Sequence, residues 1–491
     1  MKPRHTVLLF FLIVIIVSMS VLLYRACHYL QKPQNNALSV IPNNTAFIVK
    51  GAQTESLLEF NKNNSSFFAS LYSKKQTKRL DFVLNNILSQ EKCRQLVENS
   101  SFYLSLHDHE AEELLLVIET SRNYNHLLSD FAEYLCADLA HKSFIYKNNS
   151  IHSLPFEGGS LFFNLQNGLL LMTFSENIMR QAINKLTVND DGLQVAVNNI
   201  PVYGTGNSGI CFYVQYKYFI PHFKNRLRKT SIDVAAIDMF KPCSWSALQL
   251  DIKKRDFLLS GYTQLDTSIA RHELLIHKNN KLDFIKILPY NANRIFSIKA
   301  NRADDWKNMP STLQMDEDFF SLMYLNNIVT FEMETDSSVF NYLLIHSENI
   351  SEAAFHLFNS LNSRFVDNNF ILDTINVGSM MVGRVDLPNF VVSKMGINNR
   401  LSHLKYYTLV ENYIVFTDKK EGILAYIFQL RNHKSIAANK EYQLLQDYFT
   451  DNANLFYYHS FNDNDKFRSI RLQLSAQSNS ILSTNMVIGM K

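Results

Sequence analysis

Two distant stretches of this chain, NGLLLMTFSENIMRQAINKL from Asn167 and ENYIVFTDKKEGILAYIFQL from Glu411, can be laid on each other without a gap. Each reads as a short apolar strand ending on a threonine (Thr173 or Thr417), then a polar turn and an amphipathic helix. Met172 falls on Phe416, Ile183 on Ile427 and Leu186 on Leu430, so apolar residues recur at the spacing that lines one helix face. A chain that uses one unit twice is expected to build two cores. Its 491 residues allow that, because domains usually run ~100–200 residues.

The correspondence extends outward. IPNNTAFIVKGA from Ile41 and LPYNANRIFSIKA from Leu288 both open with a proline and asparagines before an apolar strand. SFYLSL and ELLLVIET flank the turn HDHEAE, with the helical stretch YNHLLSDFAEYLCADL after them. In the second half, NIVTFEME and VFNYLLIHS precede ISEAAFHLFNSL, where Ser351 marks a helix start. Each half then places an aromatic strand, ICFYVQY or LFYYHS, before a terminal hairpin. In the first hairpin Leu248, Leu250 and Ile252 alternate with Gln249, Asp251 and Lys253; in the second Ile470, Leu472 and Leu474 alternate with Arg471 and Gln473. Period two predicts one buried face and one wet face. Strands mostly follow strands, so the fold class is α+β: two tandem copies of a mainly antiparallel sheet-plus-helices module. The modules are expected over 41–270 and 288–491, joined by a partly packed connection over 271–287.

Ahead of them, TVLLFFLIVIIVSMSVLLY runs from Thr6 to Tyr24 without a charge, the length needed to cross a bilayer core. Residues 1–30 therefore read as a cytoplasmic tip and one N-terminal transmembrane signal anchor, and 31–40 as a tether. Two other readings stay open: a cleaved signal peptide, from Ser18 and Ser20, and lipidation at Cys27. An anchor puts the protein in the inner membrane as a single-pass chain with its C-terminal body in the periplasm, the default orientation of such a segment.

The apolar segment, the Ile41–Ala46 opening, LLLMTFSENIMRQAINKL and the Trp-bearing hairpin CSWSALQLDIKKRDFLLSGY together resemble a family of bacterial envelope proteins common in Bacteroidetes and known as a domain of unknown function. The resemblance covers nearly the whole chain after the apolar segment. It implies a membrane-anchored envelope protein, and it brings no activity, cofactor or site residue with it. The second half has no tryptophan opposite Trp245.

Candidate chemistry is sparse. GTGNSG from Gly204 to Gly209 precedes a strand, whereas the dinucleotide fingerprint follows one and opens a helix. Only 14 glycines also argue against phosphate-cradling folds. In LHDHEAEE, His107 and His109 could share a strand face and hold a metal with Glu110; a solvated hairpin turn is the competing reading, and a third firm ligand is missing. Asp463–Asp465 reads as a turn. The five cysteines show no metal spacing; outside the cytoplasm two disulfides are possible with Cys27 left over, and buried thiols are the competing reading. Lys224, Arg226, Arg228 and Lys229 form a basic stretch that could rest on anionic headgroups or simply face water. A net charge of +3 is too small to imply nucleic acid. No cofactor is expected. The expected partners are the membrane, through the N-terminal helix, and an envelope protein or lipid. The leading expectation is a non-catalytic binding or scaffold protein; the alternative is an envelope enzyme acting on glycan or lipid with a site at the repeat junction.

Overall fold

The computed structural model describes residues 17–23, 36–63, 73–97, 99–107, 113–120, 142–157, 159–188, 192–201, 209–227, 237, 240–253, 256–268, 280–299, 327–335, 338–365, 375–377, 380–388, 401–432, 435–461 and 467–491. The fold is α+β and dominated by antiparallel sheet. By its contacts the chain divides into two units: Met1–Asn199 with Ser208–His222, and Ile200–Asn207 with Phe223–Lys491.

The first unit contains β1 (Thr45–Gly51), β2 (Ser101–His107), β3 (Glu113–Glu119), β4 (Lys142–Tyr146), β5 (Asn149–Phe156), β6 (Gly159–Gln166), β7 (Leu169–Thr173) and β8 (Ile210–Gln215). All pairings are antiparallel, in the order β8-β1-β2-β3-β7-β6-β5-β4. The run Leu169–Thr173 is buried throughout because β7 sits inside the sheet with both faces covered. A two-residue turn at Asn167 and Gly168, both at positive φ, closes β6 onto β7. The helices are α1 (Thr54–Asn63), α2 (Lys74–Phe82), α3 (Glu91–Val97), α4 (Glu176–Val188), α5 (Gly192–Asn198) and the start, to His222, of α6 (Tyr216–Leu227). Helix α4 buries Ile178, Met179, Ala182 and Ile183, the face its spacing predicts; Leu186 is half-buried.

The second unit contains β9 (Cys243–Lys253), β10 (Asp256–Leu265), β11 (Asn280–Lys281), β12 (Ala292–Ile298), β13 (Ile328–Glu334), β14 (Val339–His346), β15 (Ile375–Val377), β16 (Met380–Pro388), β17 (His403–Val410), β18 (Tyr413–Thr417), β19 (Asn452–Ala453), β20 (Leu455–Ser460), β21 (Phe467–Ala476) and β22 (Ile481–Met490). The main order is β9-β10-β22-β21-β20-β12-β13-β14-β18-β17-β16-β15, all antiparallel; β11 pairs with β19 apart from it. Its helices are α7 (Ile350–Phe365), α8 (Lys420–Arg431) and α9 (Lys440–Leu444). The core is rich in tyrosine, and its buried hydroxyls find acceptors: Tyr342 donates to Gly422 O at 2.8 Å, Tyr426 to Ile287 O at 3.0 Å and Tyr413 to Asp283 Oδ1 at 2.6 Å. Without those acceptors each phenol would carry an uncompensated polar atom into the core.

Three details depart from the sequence reading. The tether expected over 31–40 is packed from Asn36 on: Ala37, Leu38 and Val40 are buried, and Ala37 N donates to Glu119 Oε1 at 2.8 Å. The β9–β10 hairpin, expected within 41–270, belongs to the second unit. There β10 pairs along its length with β22, from Asp256↔Gly489 to Gln264↔Ile481. A line of hydroxyls crosses the three strands, Ser246 to Thr263 at 2.5 Å and Thr263 to Thr484 at 2.6 Å.

The third departure is the polar face of β21. Arg471 and Gln473 alternate with Leu472 and Leu474 as expected, but both are buried. The segment through α9 covers them. Gln473 is satisfied by the backbone of Thr450, accepting from its N at 3.2 Å and donating to its O at 2.9 Å. The Arg471 guanidinium lies among three rings, 4.6 Å from Tyr442, 4.3 Å from Phe449 and 5.3 Å from Phe456. Its Nε and Nη1 have no hydrogen-bond partner, so ring faces replace water around the charge. An apolar side chain of similar length removes the desolvation cost and keeps the volume. Arg471→Met is therefore expected to unfold in urea within about 1 kcal/mol of wild type. Arg471→Ala leaves a hole among the rings and is expected to cost about 2 kcal/mol. Equal losses for the two variants would contradict a packing role.

The segment over 6–24 lies largely outside the described residues. Residues 17–23 are helical with exposed apolar side chains. Among the described residues no helix is long and apolar enough to cross a membrane. The helix expected over 124–139 also lies outside them. Most of the 271–287 connection that is described is packed, with Leu282, Phe284 and Ile287 in the core.

Candidate functional site

A pocket of about 360 Å³ opens in the first unit where β1 begins, β2 ends and α4 and α6 start. Pro42 and the asparagines after it halt regular pairing, and a register shift between Thr45 and Phe47 loosens the start of β1. Lys185 of α4 holds this opening segment, donating to Ile41 O at 3.0 Å and Asn43 Oδ1 at 2.7 Å. Asn44 and Ala46 then face the pocket. Strand β2 contributes Leu106 and His107, and Glu113, paired with His107 across the β2–β3 ladder, forms the neighbouring wall. The first turns of α4 supply Ser175, Asn177, Ile178 and Gln181. Helix α6 adds Tyr218, Pro221 and His222; Pro221 inside the helix removes a backbone bond there.

His107 is 0% exposed. Its Nε2 lies 2.8 Å from Ser105 Oγ, which also lies 3.2 Å from Leu115 O. The single Ser105 proton serves one of these two contacts, and the tautomer of His107 follows from which one it serves. Burial, followed by the charge of Lys185, lowers the His107 pKa to about 3. The buried ring is neutral at physiological pH, its pKa far from the value that suits proton transfer near neutrality. The pocket mixes amide, hydroxyl and imidazole groups with an apolar floor, and this arrangement orients a small molecule by hydrogen bonds and shape.

Of the residues singled out in the sequence, His107 stands in this wall, whereas His109 and Glu110 lie outside the described residues. The structure brings His107 together with Glu113 and His222. Among the described residues no three His, Cys, Asp or Glu side chains converge to hold a metal. Lys224 is half-buried on α6, the Arg226 side chain is not described, and Arg228 and Lys229 lie outside the described residues, as do Asp463–Asp465. Cys93, Cys211 and Cys243 are buried and not joined in disulfides. His222 carried no signal in the sequence: it sat inside a stretch that reads as basic and solvated.

A second pocket, of about 390 Å³, lies in the second unit at the start of β12 and the ends of β13 and β20. Asn293 staples it, accepting from Ser460 N at 2.8 Å and donating to Ser460 O at 2.8 Å. Asn439 donates to Tyr290 O at 3.2 Å while capping α9 through Glu441 N at 2.9 Å.

The chain matches no family model and no curated protein. Among solved structures it is similar to TP0453. Crystal form IV of that protein shares 11% identity over 48% of this chain and 82% of its own, with a TM-score of 0.27. Crystal form I shares 12% over 49% and 82%, also with a TM-score of 0.27. A TM-score that low gives the likeness no weight for fold or function.

Proposed function

We propose that this chain is a membrane-tethered, non-catalytic binding protein of the bacterial cell envelope, made of two copies of one α+β module. The order β8-β1-β2-β3-β7-β6-β5-β4 in the first unit corresponds, strand for strand, to β20-β12-β13-β14-β18-β17-β16-β15 in the second. A helix follows β7 and β18 alike, and a hairpin follows β8 and β20 alike, after α6 in the first case. The terminal strands of the two hairpins, β10 and β22, pair antiparallel without a break in register, as the two ends of a duplicated element would. The uncharged run over 6–24 is long enough to serve as the tether, with the body on the periplasmic side.

The observation that carries the binding role is the pocket of the first unit, enclosed by hydrogen-bonding side chains around a histidine that burial keeps neutral. A wall of that kind supplies orientation and fit without a group poised to move protons. The test is a thermal-shift screen of the membrane-extracted protein against saccharides, lipids and amino acids, run at pH 6 and at pH 8. The reading expects at least one compound that raises the unfolding midpoint equally at both values, unchanged in mass after incubation. A compound that is chemically converted by the purified chain would overturn the non-catalytic reading. Recovery of the chain in the soluble fraction after cell lysis would overturn the tether.

A further inference from the structure

We infer that the two units carry equivalent sites and that both are fitted to an uncharged, hydroxyl-rich ligand of the saccharide class, giving two sites per chain. This rests on the reading of the first pocket as a binding site. The equivalence comes from topology. Asn44 stands two residues after Pro42 and Asn291 two residues after Pro289, each just ahead of the corresponding strand, β1 or β12, and each lines its pocket. His107 ends β2 and Glu334 ends β13, the strands paired to those openings. A further wall follows β8 in one case, through Tyr218, and belongs to the end of β20 in the other, through Tyr458 and Ser460; the α4 wall of the first pocket has no counterpart from α8 among the described lining of the second.

The ligand class follows from the lining. Among the described residues no lysine or arginine lines either pocket, so no described cation stands in the lining to pair with a phosphate or carboxylate. Among the described residues each has one carboxylate, Glu113 or Glu334, already engaged by another group. An acyl chain would leave the amides and hydroxyls of either lining buried without partners, which is costly. What remains is a neutral molecule that both donates and accepts at closely spaced positions. Amides and hydroxyls such as Asn177 and Gln181, or Thr335 and Ser460, offer both roles. Each pocket also has a tyrosine at least partly open to solvent, Tyr218 in the first and Tyr290, 39% exposed, in the second. A pyranose ring presents paired hydroxyls on its edge and C–H groups on its face, and fits that combination. Volumes of about 360 and 390 Å³ suit one or two sugar rings.

The test uses the full chain in detergent. Glucose, galactose, N-acetylglucosamine and their β-1,4-linked disaccharides are titrated by calorimetry, and vesicles doped with a glycosyl-diacylglycerol form a second arm. Binding of a soluble sugar, or of the vesicles alone, supports the class and tells a free saccharide from a glycolipid headgroup. Two sites per chain are expected, falling to one in Gln181→Trp, to one in Tyr290→Ala, and to none in the double variant. A saccharide bound at one site and lost only in Gln181→Trp would overturn the equivalence. No binding in either arm, while a non-saccharide still shifts the unfolding midpoint, would overturn this inference and leave the binding-protein reading standing. No binding of any compound would remove both. Circular dichroism of the variants separates lost sites from lost fold.

Discussion

Gly261→Ala is expected to destabilise the second unit by about 3 kcal/mol or more and to strip hydrogen-exchange protection from β22. A Cβ at Gly261 would collide with the carbonyl oxygen of Ala247 and lie 3.1 Å from Leu248 Cα. Both are backbone atoms of β9, so relief requires the β9–β10 ladder to open. Opening it also frees β10 from β22, because the two ladders share β10. The same change at Gly51 or Gly383 is expected to be milder. There the obstacle is a ring, Phe102 or Tyr407 on the neighbouring strand, and a side chain can rotate where a backbone cannot. The readout is exchange mass spectrometry on peptides covering Ile481–Met490 against peptides covering β1 to β3. Protection lost from β1–β3 with β22 intact would show that the hairpin belongs energetically to the first unit.

Acidification to pH 5 is expected to lower stability by about 2 kcal/mol for each of His107 and His459. Burial lowers both to about 3, with Lys185 adding to the effect at His107 and Arg294 at His459. In the unfolded chain both return to about 6.5. Between those values the unfolded state binds more protons than the folded one, so stability rises with pH across that window. The contribution is complete above about pH 6.5 and is lost as pH falls toward 3. Urea midpoints at pH 7.5, 6 and 5 measure the slope. His107→Gln is expected to remove one proton's share of it, about 1.4 kcal/mol per pH unit at most, whatever its effect on stability at pH 7.5. An unchanged slope would mean that His107 is already protonated in the folded state.

Much of the architecture was legible in the residues. The strand-then-helix stretches ending at Thr173 and Thr417 fold as β7 with α4 and β18 with α8, and their matched Met172 and Phe416 are both buried. Local periodicity sets such elements, so the sequence displays them. Period two placed β21 as a strand, but periodicity reports alternation and not what covers each face. Arg471 and Gln473 looked solvated because the aromatic lid of Tyr442 and Phe449 comes from a segment some distance away in the chain. The same limit hid the partner of β10, since a strand's edge carries no label for the strand that will pair with it. At the site, Asn44 and Asn291 were visible as punctuation after a proline, yet nothing local said that they would face pockets. His107 was noticed for a neighbourhood of charged residues that contributes only Glu113 to the described wall. His222 joins it through α6, from more than a hundred residues away along the chain.

The claim that the first unit holds a ligand is tested most directly by native mass spectrometry of the chain extracted from membranes. Wild type is expected to carry small non-covalent adducts that dissociate under collision. Gln181→Trp, which fills the pocket from α4, is expected to carry one adduct fewer than wild type, with its secondary structure intact. The same number of adducts on both proteins, or a wild type that never carries one, would contradict the account.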